Sequence, residues 1–199
     1  MRLLAPLALA LAVVAVLPAT ALGSPTSSQG LPCKFAPKGD WTFCPKANLS
    51  GRDLTSKDFG GAYLRGANLT GAKLAGVNFY NANLTVTNFS RVDASGAYFF
   101  DANLSGAVLG AANLTGANLS GAILGSANLT NANLSGASLE AAELTGATLT
   151  GADLSGANLI GANLSRADLT GAKLTGAKLA RAKFKSTICP SGKVTSTRC

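Results

Sequence analysis

The chain has 199 residues, with 17 Lys and Arg against 9 Asp and Glu, a formal net charge of +8 and no histidine. Without an imidazole there is no histidine base, no histidine-containing triad and no histidine metal ligand. Most of its 23 glycines recur at a fixed period, and they form no glycine-rich phosphate loop.

In chain order, residues 1–21 are expected to be a secretory signal peptide. Arg2 supplies the charged start, Leu3 to Leu17 the apolar run, and Ala19-Thr20-Ala21 an A-x-A cleavage site. The run is short for a membrane span and is broken or bounded by Pro6 and Pro18. The expectation is a secreted or extracytoplasmic protein, in the periplasm or cell envelope, with no membrane span in the mature chain. No cysteine follows the cleavage site, so no lipid anchor is expected on the new N-terminus. Residues 22–32 are rich in Ser, Pro and Gly and read as a flexible linker. Residues 33–46 carry Cys33 and Cys44 and read as an N-terminal cap.

From Leu49 to Phe184 every fifth residue is Leu or Phe, except Ala94, through twenty-eight consecutive units. The typical unit is Ala117-Asn118-Leu119-Ser120-Gly121. A helix does not explain this period, because five residues advance about 140° net and the leucines would spiral around it. A flat strand does not either, because an odd period sends successive leucines to opposite faces. Only a chain that turns a corner once per unit keeps every leucine inside. The small residue two before the centre, alanine from Ala97 to Ala182, shares the inward face. The Asn, Asp or Lys between them and the Ser or Thr after them face out, and the frequent glycine supplies the corner.

With these residues the chain resembles the pentapeptide-repeat proteins, whose pattern is A-(N/D)-L-x-x. The resemblance covers residues 47–186. It implies an all-β fold: a right-handed quadrilateral β-helix with four units per coil, about seven coils in all. Phe59, Phe79 and Phe99, each twenty apart, then stack on one wall. Ala94 lies between Phe89 and Phe99 and compensates their volume.

Residues 187–199 read as a C-terminal cap containing Cys189 and Cys199. The rod separates the two cysteine pairs, so Cys33–Cys44 and Cys189–Cys199 are the disulfides a monomer can reach. An exported chain would oxidise them. A coil stack ends in exposed apolar side chains and unpaired edges. Trp41 with Phe35 or Phe43 is expected to lid the first coil, and Ile188 with Val194 the last. The spacings of the cysteines fit no zinc pattern, and no metal site is expected.

The charge is segregated. Residues 24–91 hold eight basic and three acidic side chains, residues 92–165 five acidic and no basic, and residues 166–199 eight basic and one acidic. The rod therefore has two positive ends and a negative waist. Lys173, Lys178 and Lys183 share the outward slot on three successive walls, with Arg181 and Lys185 beside them. This collar either discourages end-to-end stacking or contacts anionic partners. It lacks interleaved aromatics, so no nucleic acid is expected.

One patch departs from the Ser/Thr surface. Tyr80 and Phe100 are twenty apart and should stack on the outside of one wall, near Tyr98. An exposed aromatic cluster can mark a contact for sugar, peptide or protein. Nothing suggests catalysis. The carboxylate pairs Asp53 with Asp58 and Glu140 with Glu143 read as solvated surface, and no catalytic residue or cofactor is expected.

The reading is a non-enzymatic exported scaffold or protein-interaction module, whose partner is an unnamed protein or envelope polymer. An alternative is a binder of anionic envelope polymers or surfaces through the basic rod ends. Some pentapeptide-repeat proteins are acidic DNA mimics that bind type II topoisomerases; positive charge and an export signal argue against that role here. A monomer is favoured over a dimer, because the basic collar and the tail obstruct the terminal coil.

Overall fold

A computed structural model describes residues 34–35, 42–55 and 57–199. The expected signal peptide, the linker, Cys33 and Trp41 lie outside the described residues.

Residues twenty apart pair as parallel bridges without a slip, from Phe43 with Tyr63 to Asp168 with Ile188. Four units therefore make one coil, and the bridged residues form four walls. The first wall carries Phe43, Tyr63 and Asn83, and the second Asn48, Asn68 and Asn88. The third carries Asp53, Lys73 and Asp93, and the fourth Asp58, Asn78 and Tyr98.

The hydrogen bonds of one unit show why the sequence repeats as it does. The Asn118 N–H donates down to the Ala97 carbonyl at 2.9 Å. The Leu119 and Gly121 N–H groups donate up to Ser138 at 2.7 Å and Glu140 at 2.9 Å. The Ala122 N–H closes the corner on the Leu119 carbonyl at 3.1 Å. The fifth N–H, that of Ser120, goes to the Asn118 side-chain oxygen at 3.0 Å. No backbone donor of the unit is left without a partner, as a densely packed backbone requires. Asn or Asp before the centre is thus a turn-former that captures the N–H two residues on.

The core is a column of central residues with alanine around it. Leu49 to Leu169 and the intervening Phe59, Phe79, Phe89, Ala94 and Phe99 are all buried. Phe59, Phe79 and Phe99 stack face to face at 5.4 and 5.0 Å. Phe89, from the opposite wall, meets Phe79 and Phe99 edge-on at 6.0 and 5.9 Å. The edge-on contacts are a geometry that rings prefer, and the stacked centroid distances lie within the usual range for aromatic pairs. Ala94, on the wall between Phe89 and Phe99, leaves them room. Changing Ala94 to Leu is expected to lower unfolding free energy by about 1–3 kcal/mol, measured by urea denaturation.

Two of the small inward slots hold threonine. Thr87 and Thr187 are fully buried, and their hydroxyls donate to the Leu64 and Leu164 carbonyls at 2.9 and 2.7 Å. Each polar group therefore enters the core with its partner supplied.

The corners are less dependent on glycine than the sequence suggests. Every described corner from Lys46 to Ser186 has positive φ, yet twelve hold other residues. Val86, at φ 50°, is the most strained type, since β-branched residues resist this conformation. Gly121 is a corner where glycine is needed twice: φ is 67°, and the Asp101 carboxylate occupies the place a Cβ would take.

The ends depart from expectation in two ways. First, the cysteines of the caps join the repeat. Cys44 is buried in the central slot one unit before Leu49, and its N–H donates to the Tyr63 carbonyl at 2.8 Å. Cys189 takes the same slot one unit after Phe184 and is also buried. A half-cystine is small and apolar enough to replace leucine there. Cys189 is bonded to Cys199, as expected. Cys44 is also in a disulfide, although Cys33, its expected partner, lies outside the described residues.

Second, Phe43, Ile188 and Val194 do not lid the core, while Trp41 and the Phe35 side chain lie outside the described residues. Phe43 is exposed in the outward slot, its ring stacked on Tyr63 at 5.1 Å. Ile188 is also outward, above Asp168, and Val194 is 67% exposed. What sits at each end is a small antiparallel hairpin. β1 (Lys34–Phe35) pairs with β2 (Thr42–Phe43), and β3 (Thr187–Ile188) with β4 (Val194–Thr195). Leu174, Ala177 and Ala182 in the last coil remain only partly buried. The period-five phase explains the failure: it sends Phe43 and Ile188 outward.

Candidate functional site

Tyr80 and Phe100 stack on the outside of the wall, and Tyr98 is exposed on the same stretch. Tyr98 lies on the fourth wall between Asn78 and Asn118. Tyr80 and Phe100 follow their central phenylalanines, and their rings stack at 6.0 Å with 15° between planes. The three are 52%, 55% and 40% exposed, in the order Tyr80, Tyr98, Phe100. Inside the same wall run Phe79 and Phe99, so aromatic rings line both faces of this stretch of backbone.

The basic collar is arranged as the phase requires. Lys173, Lys178 and Lys183 stand on the third, fourth and first walls, above Asp153, Asn158 and Asn163. Lys173 is paired with Asp153 at 3.4 Å. Arg181, Lys183 and Lys185 share a cleft of about 600 Å³ at the C-terminal end, and Arg198 joins them from the tail. Lys173 and Lys178 do not line it. Sequence reasoning missed Arg198. The available signal was its neighbour Cys199, whose bond to Cys189 folds the tail back over the last coil.

The carboxylates are tied into the walls. Asp53 accepts from Thr55, Asp58 from the Gly60 N–H, Glu140 from Asn158 and Glu143 from Asn163. Ladders of this kind recur, as in Asn113 donating to Asp93 at 3.0 Å. Among the described residues no group of His, Cys, Asp or Glu is placed to hold a metal ion, and no helix is long and apolar enough to cross a membrane.

Three aspartates are held below their ordinary value near 3.8. The cause is mainly the hydroxyl of the residue two on: Thr55 for Asp53, Ser155 for Asp153 and Thr170 for Asp168. A depressed folded-state pKa stabilises the fold above the unfolded value, and this stability is lost as pH falls through the folded value. The melting temperature is therefore expected to fall on acidification below about pH 4. Asp168→Asn should flatten that dependence, because asparagine still accepts from Thr170 but does not titrate. An unchanged slope would contradict it.

The sequence profile of pentapeptide repeats matches in eight copies, over residues 46–79, 68–106, 78–116, 112–151 and 149–185. The chain belongs to the pentapeptide repeat family. With that membership comes the family's right-handed quadrilateral β-helix. Solved pentapeptide repeat structures resemble it. One is HetL, involved in heterocyst differentiation regulation in the cyanobacterium Nostoc sp. Strain PCC 7120. It is 39% identical over 77% of this chain and 74% of its own, with a TM-score of 0.29. A protein of the Arabidopsis thaliana thylakoid lumen is 39% identical over 54% of this chain and 68% of its own, with a TM-score of 0.42. QnrB1, a plasmid-mediated fluoroquinolone resistance protein, is 22% identical over 68% of this chain and 78% of its own, with a TM-score of 0.49. No curated protein sequence matches the chain.

Proposed function

We propose that the chain is an exported, non-enzymatic pentapeptide-repeat rod of about seven coils that acts as a binding scaffold outside the cytoplasm. Its contact surface is the aromatic patch of Tyr80, Tyr98 and Phe100. The observation that carries this reading is the stacked, half-exposed Tyr80–Phe100 pair on the same stretch of wall as the exposed Tyr98, with Val86 and Val108 also exposed on the rod surface. The signal-like sequence expected in residues 1–21 and the Cys189–Cys199 bond support an oxidising compartment. The rod is proposed to be monomeric, because the tail and collar occupy its C-terminal end.

The test is affinity capture of envelope proteins at high salt by the mature chain and by a variant with Tyr80, Tyr98 and Phe100 all changed to Ser. Apolar contact survives salt, so the parent chain should retain partners that the variant loses. Equal capture by two chains with equal melting temperatures would remove the patch.

A second reading, contact with anionic envelope polymers through the basic rod ends, is favoured by the cleft that gathers Arg181, Lys183, Lys185 and Arg198. It requires binding that falls steeply with added salt.

A further inference from the structure

The coil stack stops at an edge whose hydrogen-bonding groups have no next coil. Through the unit of Leu169 and Gly171 the central and corner N–H groups donate to the coil above, as Leu159 does to Lys178 and Gly161 to Ala180, and from Leu174 onward no such bond is found among the described residues. For Leu179, Arg181 and Phe184, no acceptor is found among the described residues. All three line the cleft at the C-terminal end. The Ala182 carbonyl shares this edge and also lacks the donor that a further coil would bring.

Four cations surround these donors, and no carboxylate lines the cleft. Arg181, Lys183 and Lys185 rise from the last coil, and Arg198 comes from the tail. Ser196 and Thr197 add hydroxyls from the same tail segment. The tail is held back over the coil by the Cys189–Cys199 bond and by the Ser186 N–H on Ser196 Oγ at 3.4 Å. Elsewhere on the collar the geometry differs. Lys173 is already paired with Asp153, and Lys178 stands outside the cleft.

Clustered backbone N–H groups with arginine forks and hydroxyls are what phosphate oxygens bind. A volume of about 600 Å³ is larger than one ion needs and suits a run of charged groups. We infer that this C-terminal cleft is a binding site for a chain of phosphate groups, seated between the last coil and the disulfide-held tail. The inference rests on the second reading above and narrows it from a basic end to one cleft and one anion class.

The probe is sodium tripolyphosphate, titrated calorimetrically into the full chain at ~50 mM and ~200 mM salt. Binding is expected at low salt and much weaker at high salt. Arg181→Asn combined with Arg198→Ser should weaken it about tenfold or more, and asparagine tolerates the left-handed corner at this position. Lys173→Ser combined with Lys178→Ser should leave it within about threefold. Melting temperatures of both double variants report that they are folded. Cys199→Ser, which frees the tail with Arg198, should weaken binding as well. A parallel titration with phosphatidylglycerol vesicles tells a lipid source of phosphate from a soluble chain, and binding in either arm supports the site.

If the collar variant loses as much as the cleft variant, the cleft assignment falls and the general basic-end reading stands. Equal binding of a polyglutamate of the same charge overturns the phosphate class. No binding of any anion at low salt overturns both readings.

Discussion

Changing Leu119 to Lys is expected to abolish cooperative folding of the middle of the rod, and changing it to Ala to cost about 2–5 kcal/mol. Leu119 is fully buried in the central slot of the fourth wall. Its backbone bonds the coil above through Ser138, and the neighbouring Asn118 N–H bonds the coil below through Ala97. A lysine there would carry an ammonium into a column of Leu and Ala side chains, with no acceptor and no water. The alanine variant loses only the transferred methyl groups and leaves a cavity. The matched control is Ile123→Ser on the outer face of the next unit, where the side chain is 43% exposed. It should change stability by no more than about 0.5 kcal/mol. Urea denaturation of the three variants checks the order, and a tolerated Leu119→Lys would contradict a dry interior.

Removing the Cys189–Cys199 bond by Cys189→Ser is expected to lower stability by about 2–4 kcal/mol, with the damage confined to one end. The bond closes a segment with a sequence separation of 10. It also holds Cys189 in the central slot above Leu169, next to Phe184 above Leu164. Each coil touches only its neighbours, so a lost end should fray inward instead of unfolding the whole rod. Hydrogen exchange should therefore show reduced protection at Leu164 and Leu169, whose N–H groups donate to Lys183 and Ile188. Protection at Leu119 and Leu124 should hold. Uniform loss along the rod, or none, would contradict this.

The period carried most of the architecture. Leu or Phe at every fifth position leaves a turning chain as the one arrangement with a single interior, and the bridges twenty apart follow that phase throughout. The same arithmetic placed Phe59, Phe79 and Phe99 in one stack and Tyr80 against Phe100 outside it. It would also have put Cys44 and Cys189 in central slots. They were read as outside the repeat because they are cysteines and the flanking alanines are missing, although Thr187 fills the small slot before Cys189.

Other features were not legible from spacing. Spacing alone places Asn and Asp on the outward face. Some do form ladders, but their constant task is to accept the N–H two residues on, which only backbone geometry reveals. Val86 and Arg91 depart from the glycine of the corner slot, yet they adopt the same positive φ as glycine. Arg198 entered the basic cleft through a tail path that periodicity does not describe.

The central claim is that one coil takes twenty residues, so that positions twenty apart lie side by side on a wall. Paired cysteines at Asn118 and Ser138, which are bridge partners, test it directly when compared with a pair at Asn118 and Asn133, which stand on different walls. Neighbouring strands about 4.8 Å apart bring the first pair within disulfide reach. Mild oxidation should link Asn118→Cys to Ser138→Cys rapidly and leave the second pair open. Equal linking of both pairs, or no linking of the first in a folded chain, would contradict the coil.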